Sequence, residues 1–183
     1  MRRRKTEQTE FVPFGPFTLP RTRRKKIATN KKAEFWRNIE TKYPGLSNAV
    51  GCYVFAINTS KGTLPWYVGK TMKRPFARET WAPARISQYQ DILRRRKRGT
   101  PLMFLAAKRS REGKFARPSE RGQMDIDLLE GLLLESALLR NRKLRNPRGT
   151  RQLQSITMSG FINGKPGHPT IAAQRLAKTL GSA

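Results

Sequence analysis

The stretch GCYVFAINTSKGTLPWYVGKT, Gly51 to Thr71, constrains what this chain can fold into more than any other segment. Two short apolar runs, Tyr53 to Ile57 and Pro65 to Val68, flank a polar connection of Asn58, Thr59, Ser60, Lys61 and Gly62. β-Branched and aromatic residues bounded by turn formers predict two antiparallel strands joined by a longer loop. A tyrosine stands close to a glycine on each, in Gly51-Cys52-Tyr53 and in Tyr67-Val68-Gly69, and Lys70 follows at once. Pairing these strands brings two phenols and an ammonium to one end of a small sheet.

Charge narrows the partners. Lys and Arg number 39 against 12 Asp and Glu in 183 residues, a formal charge of +27. Such an excess predicts a polyanionic partner, nucleic acid first, because basic side chains that neutralise phosphates release condensed counterions. A ribosomal or chromatin-like protein that only binds explains the same composition equally well. No membrane partner is expected: no amphipathic helix with a large bare apolar face stands out, and no segment approaches the ~20 apolar residues of a spanning helix. The basic start, MRRRKTEQTEF, lacks the apolar run of a signal peptide, so a cytoplasmic or nucleoid-associated place is expected. One cysteine and one histidine, His168, exclude an intrachain disulfide, a Cys- or His-rich metal cage and a Ser-His-Asp triad.

Residues 1–30 read as a basic, flexible arm. Pro13, Pro16 and Pro20 interrupt any helix, Arg21, Arg23, Arg24, Lys25 and Lys26 form a basic block, and Phe11, Phe14 and Phe17 can pin part of it to the body. Phe35, Trp36, Ile39 and Tyr43 fit one stripe of a packing helix over 31–42, closed by Pro44-Gly45. Arg74 to Arg98 reads as helical but kinked or split at Pro83, with Phe76, Trp81, Ile86, Tyr89, Ile92 and Leu93 as apolar positions. Its end, Arg94-Arg95-Arg96-Lys97-Arg98, is a concentrated positive patch. Together with Arg74, Arg85, Lys108 and Arg109 it forms the expected nucleic-acid surface. Pro101 to Ala107 suits a third strand, and 108–122 a mobile basic loop over the site or a nucleic-acid contact. Near the end, Gly164 to Pro169 is a turn cluster that makes His168 a loop residue, and Ile171 to Leu180 a closing helix.

Between them, Asp125 or Asp127 can cap a helix running from about Ile126 to Arg140. It is apolar on nearly every side and so is expected to be buried, which makes its carboxylates conspicuous. Glu130 has Ile126 at i−4, Leu133 and Leu134 at i+3 and i+4, and Ala137 at i+7. Glu135 is the rival, with Gly131 and Arg142 at i−4 and i+7 but Leu138 and Leu139 beside it. A Glu balanced by a nearby arginine in a structural pair is the plainer account of either.

The order of tyrosine strand, tyrosine-glycine strand, basic helix, third strand and glutamate helix followed by asparagine resembles the GIY-YIG nuclease superfamily over residues 47–147. Cys52 and Val68 replace two apolar positions of its motif, and the segment with Gly160-Phe161 and Gly164-Lys165-Pro166 resembles the tail of bacterial members. The resemblance implies an α+β fold with a small three-stranded antiparallel sheet flanked by helices. To it are added the basic N-terminal arm (1–30) and a C-terminal extension (148–183) packed on a domain of 31–147. It implies an endonuclease using Mg²⁺ or Mn²⁺, with DNA favoured over RNA. By position it makes Tyr53 and Tyr67 the motif tyrosines, Gly69 the motif glycine, Lys70 the basic residue, Glu130 the metal ligand and Asn146 the asparagine. The helix arginine falls on Arg78, with Arg74 and Arg85 as alternatives, and with no histidine to match, a tyrosine is left as base.

The residue chemistry agrees. Phosphodiester hydrolysis needs a nucleophilic water, neutralised phosphate charge and help for the leaving oxygen. Glu130 offers hard oxygen to Mg²⁺, and an arginine fork suits the crowded phosphate. A phenol titrating near ~10 is a poor base unless a cation such as Lys70 favours its ionisation. On this reading Tyr53 activates water, Glu130 holds the metal, and Arg78 with Tyr67 or Lys70 stabilises the phosphate.

Overall fold

The computed structural model describes residues 9–96, 98–146 and 170–179. The tyrosine hairpin forms as expected and is built into an antiparallel sheet of four strands, β1 (Phe11–Thr18), β2 (Gly51–Thr59), β3 (Gly62–Thr71) and β4 (Thr100–Lys108), in the order β1-β4-β2-β3. The segment 101–107 is thus part of a strand, as its apolar run implied.

Three strands were expected, and the fourth, β1, comes from the segment read as a flexible arm. Its aromatics recur every three residues, which is not a strand period. A register shift between Phe14 and Phe17 resolves the mismatch: the irregularity adds a residue, so both rings turn to the same core. Phe14 then lies 5.0 Å from the Tyr43 ring and 5.5 Å from Phe115. Pro13 and Pro16 are tolerated because β1 is an edge strand, where one side needs no ladder donor. After β1, Leu19 and Ile27 are buried, and Ala28 donates its N–H to Pro20 O, so the basic block between them is a clamped turn.

Helix α1 (Lys32–Lys42) buries Phe35, Trp36 and Ile39. The turn after it is fastened by Glu40, whose carboxylate accepts N–H bonds from Gly45 at 2.7 Å and Ser47 at 2.6 Å. Pro83 splits the following helical region into a short α2 (Phe76–Glu79) and α3 (Pro83–Arg95). It occupies the first turn of α3, where its missing N–H costs nothing. α3 and α1 cover one face of the sheet, in a core with Tyr53, Phe55, Ile57, Tyr67, Ile86, Tyr89 and Ile92. The other face holds a smaller cluster of Val50, Cys52 and Ile126 under α4 (Met124–Arg140).

Two expectations change here. α4 is not buried all round: Leu128, Leu132 and Leu139 are exposed, and only Ile126, Leu134 and Ala137 are buried. The sheet gives one flat face, and a single helix laid on it can bury only one of its stripes. The loop 108–122 is fastened as well, since Ala116 donates to Lys108 O, Val50 donates to Ala116 O, and Phe115 packs on Phe14.

The chain divides into two units, Met1–Arg145 and Asn146–Ala183. Within the second, the described residues form α5 (Ile171–Thr179). The tail motifs at 160–166 and His168 lie outside the described residues, as does most of the 148–183 extension. Among the described residues no helix is long and apolar enough to cross a membrane.

The sheet tolerates no side chain at Gly51, where φ is +148° and a Cβ would stand 2.0 Å from Ala106 O on β4. Gly51→Ala is therefore expected to destabilise the fold by about 2–3 kcal/mol, from strain and overpacking together. Urea unfolding of the two proteins measures it, and an unchanged midpoint would contradict the close β2–β4 approach.

Candidate active site

Tyr53 lies opposite Gly69, and Phe55 opposite Tyr67, across the β2–β3 ladder. Residues opposite one another in an antiparallel pair share a face. The Tyr53 phenol uses that space: a Cβ on Gly69 would stand 2.5 Å from its Cζ and 2.6 Å from its hydroxyl. The register shifts between Phe55 and Ala56, so Trp66 is the extra residue on β3 and stands beside Tyr67. The Tyr53 and Tyr67 rings are 6.1 Å apart, Tyr89 of α3 is 6.2 Å from Tyr67, and Tyr89 stacks on Phe55 at 4.4 Å.

The cation at these phenols is Arg85. Its guanidinium carbon is 5.5 Å from the Tyr67 ring centre. Nε donates to Glu79 at 3.1 Å and Nη1 to Gln88 at 2.9 Å, which fixes its direction. Arg78 is exposed on α2, and Arg74 is exposed with its carbonyl accepting from the Thr71 hydroxyl. Of the three arginines weighed, Arg85 is the one held against the tyrosines.

Lys70 stands elsewhere. It pairs with Cys52, not Tyr53, and so belongs to the opposite face. There its ammonium is 2.5 Å from Asp127 Oδ1 and 2.7 Å from Glu130 Oε2. Asp127 and Glu130 are three residues apart on α4 and so share one side of the helix. Glu130 keeps only 20% of its side-chain surface exposed, whereas Glu135 is exposed on another side of α4. Burial of Lys70 opposes its charge, yet the hydrogen bonds to Asp127 and Glu130 more than offset this and raise its pKa.

The two groups therefore lie on opposite faces of the β2–β3 ribbon, tyrosines and Arg85 on one, Lys70 with its carboxylates on the other. Each group includes a residue of β3, an edge strand of the sheet. Tyr67 registers both sides. Burial raises its pKa, Arg85 opposes that rise, and the Glu130 carboxylate adds to it. Tyr53 is pushed far above the ordinary phenol value by burial and by the Tyr89 and Tyr67 phenols, with Arg85 a partial offset. Lys70 does not supply the activating cation expected for Tyr53, because strand alternation turns it away. Among the described residues the buried hydroxyls of Tyr53 and Tyr89 find no hydrogen-bond partner of good geometry, an arrangement that costs about 1–3 kcal/mol each.

A divalent cation of the kind the resemblance implies fits the chemistry of the carboxylate pair. Asp127 and Glu130 supply hard oxygen donors around a position that a single ammonium now fills. Among the described residues no group of three or more His, Cys, Asp or Glu gathers. Mg²⁺ is commonly bound by one or two carboxylates, with waters and substrate oxygens completing its shell. The i−3 spacing of Asp127 from Glu130 is visible in the sequence, but only the fold brings both to Lys70. Tyr89, four residues after Arg85, lies in the core as its apolar position implies.

Other residues of the expected nucleic-acid surface have local partners. Lys108 pairs with Asp125 at 2.7 Å, and Arg109 lies over Phe115 while donating to Gly113 O at 3.0 Å. Arg96 lies 4.5 Å over the Trp66 ring. Arg94 pairs with Asp91, and Arg95 and Arg98 are exposed. Lys97 lies outside the described residues. Asn146 is buried and is the first residue of the second unit. Comparison with family models, with curated proteins and with solved structures gives no match to this chain.

Lys70→Met would leave two carboxylates facing each other without a cation, at an expected cost of about 1 kcal/mol at neutral pH given their partial exposure. Because the folded protein raises the amine's pKa, the stabilisation is present below the unfolded value near ~10.4 and is lost as pH rises through the higher folded value. Unfolding midpoints of the two proteins at pH 7 and 11.5 test this. A gap as large at pH 11.5 as at pH 7 would show that the ion pairs contribute nothing.

Proposed function

We propose that this protein is a metal-dependent endonuclease that hydrolyses phosphodiester bonds of nucleic acid, DNA in preference to RNA, at the β3 edge. The supporting observation is that Tyr67, with Arg85 against its ring, and Lys70, paired to Glu130, stand three residues apart on one edge strand. The order of motifs that resembles the GIY-YIG superfamily supports the same reading.

In this reading Arg85, already oriented by Glu79 and Gln88, neutralises charge that develops on the phosphate oxygens. Tyr53 stays protonated and, packed beside Tyr67, holds that ring in place. Tyr67, whose rise in pKa Arg85 opposes, accepts the proton of the attacking water. Lys70 balances phosphate charge from the other side of the strand. Asp127 and Glu130 would hold the divalent cation, which supplies Lewis acidity to the phosphate and makes water easier to deprotonate.

A second reading, a nucleic-acid-binding module without turnover, draws on the burial that keeps both motif phenols protonated at neutral pH. Plasmid nicking with and without Mg²⁺ separates the two. The nuclease should lose at least about 100-fold of its rate in Tyr67→Phe, Arg85→Ala and Glu130→Gln, with DNA affinity nearly kept. Glu135→Gln should nick as wild type.

The base must lose its proton to act, and its pKa is raised. The rate should accordingly climb with pH from 6 to 10 with no falling limb, nearly tenfold per pH unit. A wild type that binds DNA tightly but never nicks it at any pH would leave the binding module as the function.

A further inference from the structure

We infer that the cleft between the Thr22–Lys26 turn and the C-terminal end of α3 is a second docking site for the phosphate backbone of a nucleic acid, separate from the candidate centre. It rests on the nucleic-acid reading above, but not on cleavage. The cleft has a volume of about 290 Å³, and Arg21, Arg24, Lys25, Lys26 and Arg94 line it. One carboxylate, Asp91, is paired with Arg94. Five cations against one acid repel one another unless an anion enters.

The turn that presents them is built rather than loose. Leu19 and Ile27 bury its two ends, and Arg21 and Ile27 form an antiparallel bridge. Thr22 N–H donates to Lys26 O at 2.8 Å, and Lys25 N–H to Thr22 O at 2.9 Å. Arg21 spends its guanidinium inward: Nε and Nη2 donate to Lys25 O, and Nη1 to Gly99 O at 2.9 Å. That leaves Arg24, Lys25 and Lys26 exposed on a braced loop. Lys25 holds φ at +62°, a conformation that costs a lysine free energy and is sustained here by the three hydrogen bonds its carbonyl and N–H make.

Charge supports a polymer as the occupant rather than a small anion. Past Arg94 the chain carries Arg95, Arg96 and Arg98, all exposed, so positive charge continues beyond the cleft, as a repeating anion requires. The acid beside them, Asp91, is exposed but already paired with Arg94.

The test compares two neutralised triples in full-length protein binding a fluorescein-labelled 30-bp DNA duplex across a series of salt concentrations. Arg24→Ala, Lys25→Asn, Lys26→Ala removes the cleft charges, with asparagine chosen because it tolerates the left-handed conformation. Arg37→Ala, Lys42→Ala, Lys61→Ala removes the same charge from exposed positions elsewhere. Thermal unfolding confirms that both triples are folded. The slope of log K against log salt falls by about 0.9 for each phosphate that the protein no longer neutralises. The cleft triple should reduce that slope by about 2 to 3 and weaken affinity at least tenfold at 0.1 M salt, and the control triple far less. Equal reductions in the two triples, or none in the cleft triple, would overturn the docking site while leaving the nuclease reading standing. A wild type that binds no duplex and no single strand would overturn both.

Discussion

The Tyr53 phenol lying across Gly69 is the contact on which the rest of this arrangement depends. A Cβ at that position has no room, with the ring carbon 2.5 Å away. The contact requires Tyr53 and Gly69 to face each other, which sets the register of the β2–β3 ribbon. A one-residue slip would send every side chain of a strand to the other face. With the register set, Tyr67 must join the aromatic core, and Lys70 must stand on the far side under α4. Gly51 acts the same way between β2 and β4, where its missing side chain lets Ala106 O approach. Two glycines thus determine where the chemistry-bearing residues point.

The resulting electrostatics divide by face. On the aromatic side, burial favours the neutral phenols, and Glu79 holds Arg85 in place against the Tyr67 ring. On the helix side, α4 gathers Asp125, Asp127, Glu130 and Glu135, four of the chain's 12 acidic residues, within an otherwise cationic protein. Two of them neutralise Lys70 and one neutralises Lys108. The acidic helix is what keeps basic strand residues folded against the sheet. Positive charge without such acidic neighbours includes the turn at Arg24 to Lys26.

Much of this was legible in the chain. Turn formers between aromatic runs marked the hairpin, the stripe Phe35, Trp36, Ile39 marked α1, and an acidic residue among leucines marked Glu130. What failed did so for physical reasons. The every-third-residue aromatics of β1 match no strand period until a register shift is allowed, so by periodicity alone the segment looks like an arm. The α4 leucines suggested full burial, but a four-stranded sheet with one helix on that face cannot enclose it. Arg78, Arg74 and Arg85 differ little in sequence context, and only the split at Pro83 sets which one the helix turns toward Tyr67.

By itself, then, the amino-acid order determined which segments pair or coil, where charge accumulates, and which residue types are present for phosphate chemistry. Those are local properties: side-chain periodicity, turn chemistry and net charge act within a few residues. The tertiary structure alone decided that the tyrosines and Lys70 part company across the ribbon, that Asp127 joins Glu130 at Lys70, and that Arg21 braces a basic cleft. Each of these depends on which face a strand presents and on contacts between residues far apart in the chain, and no local pattern carries that information.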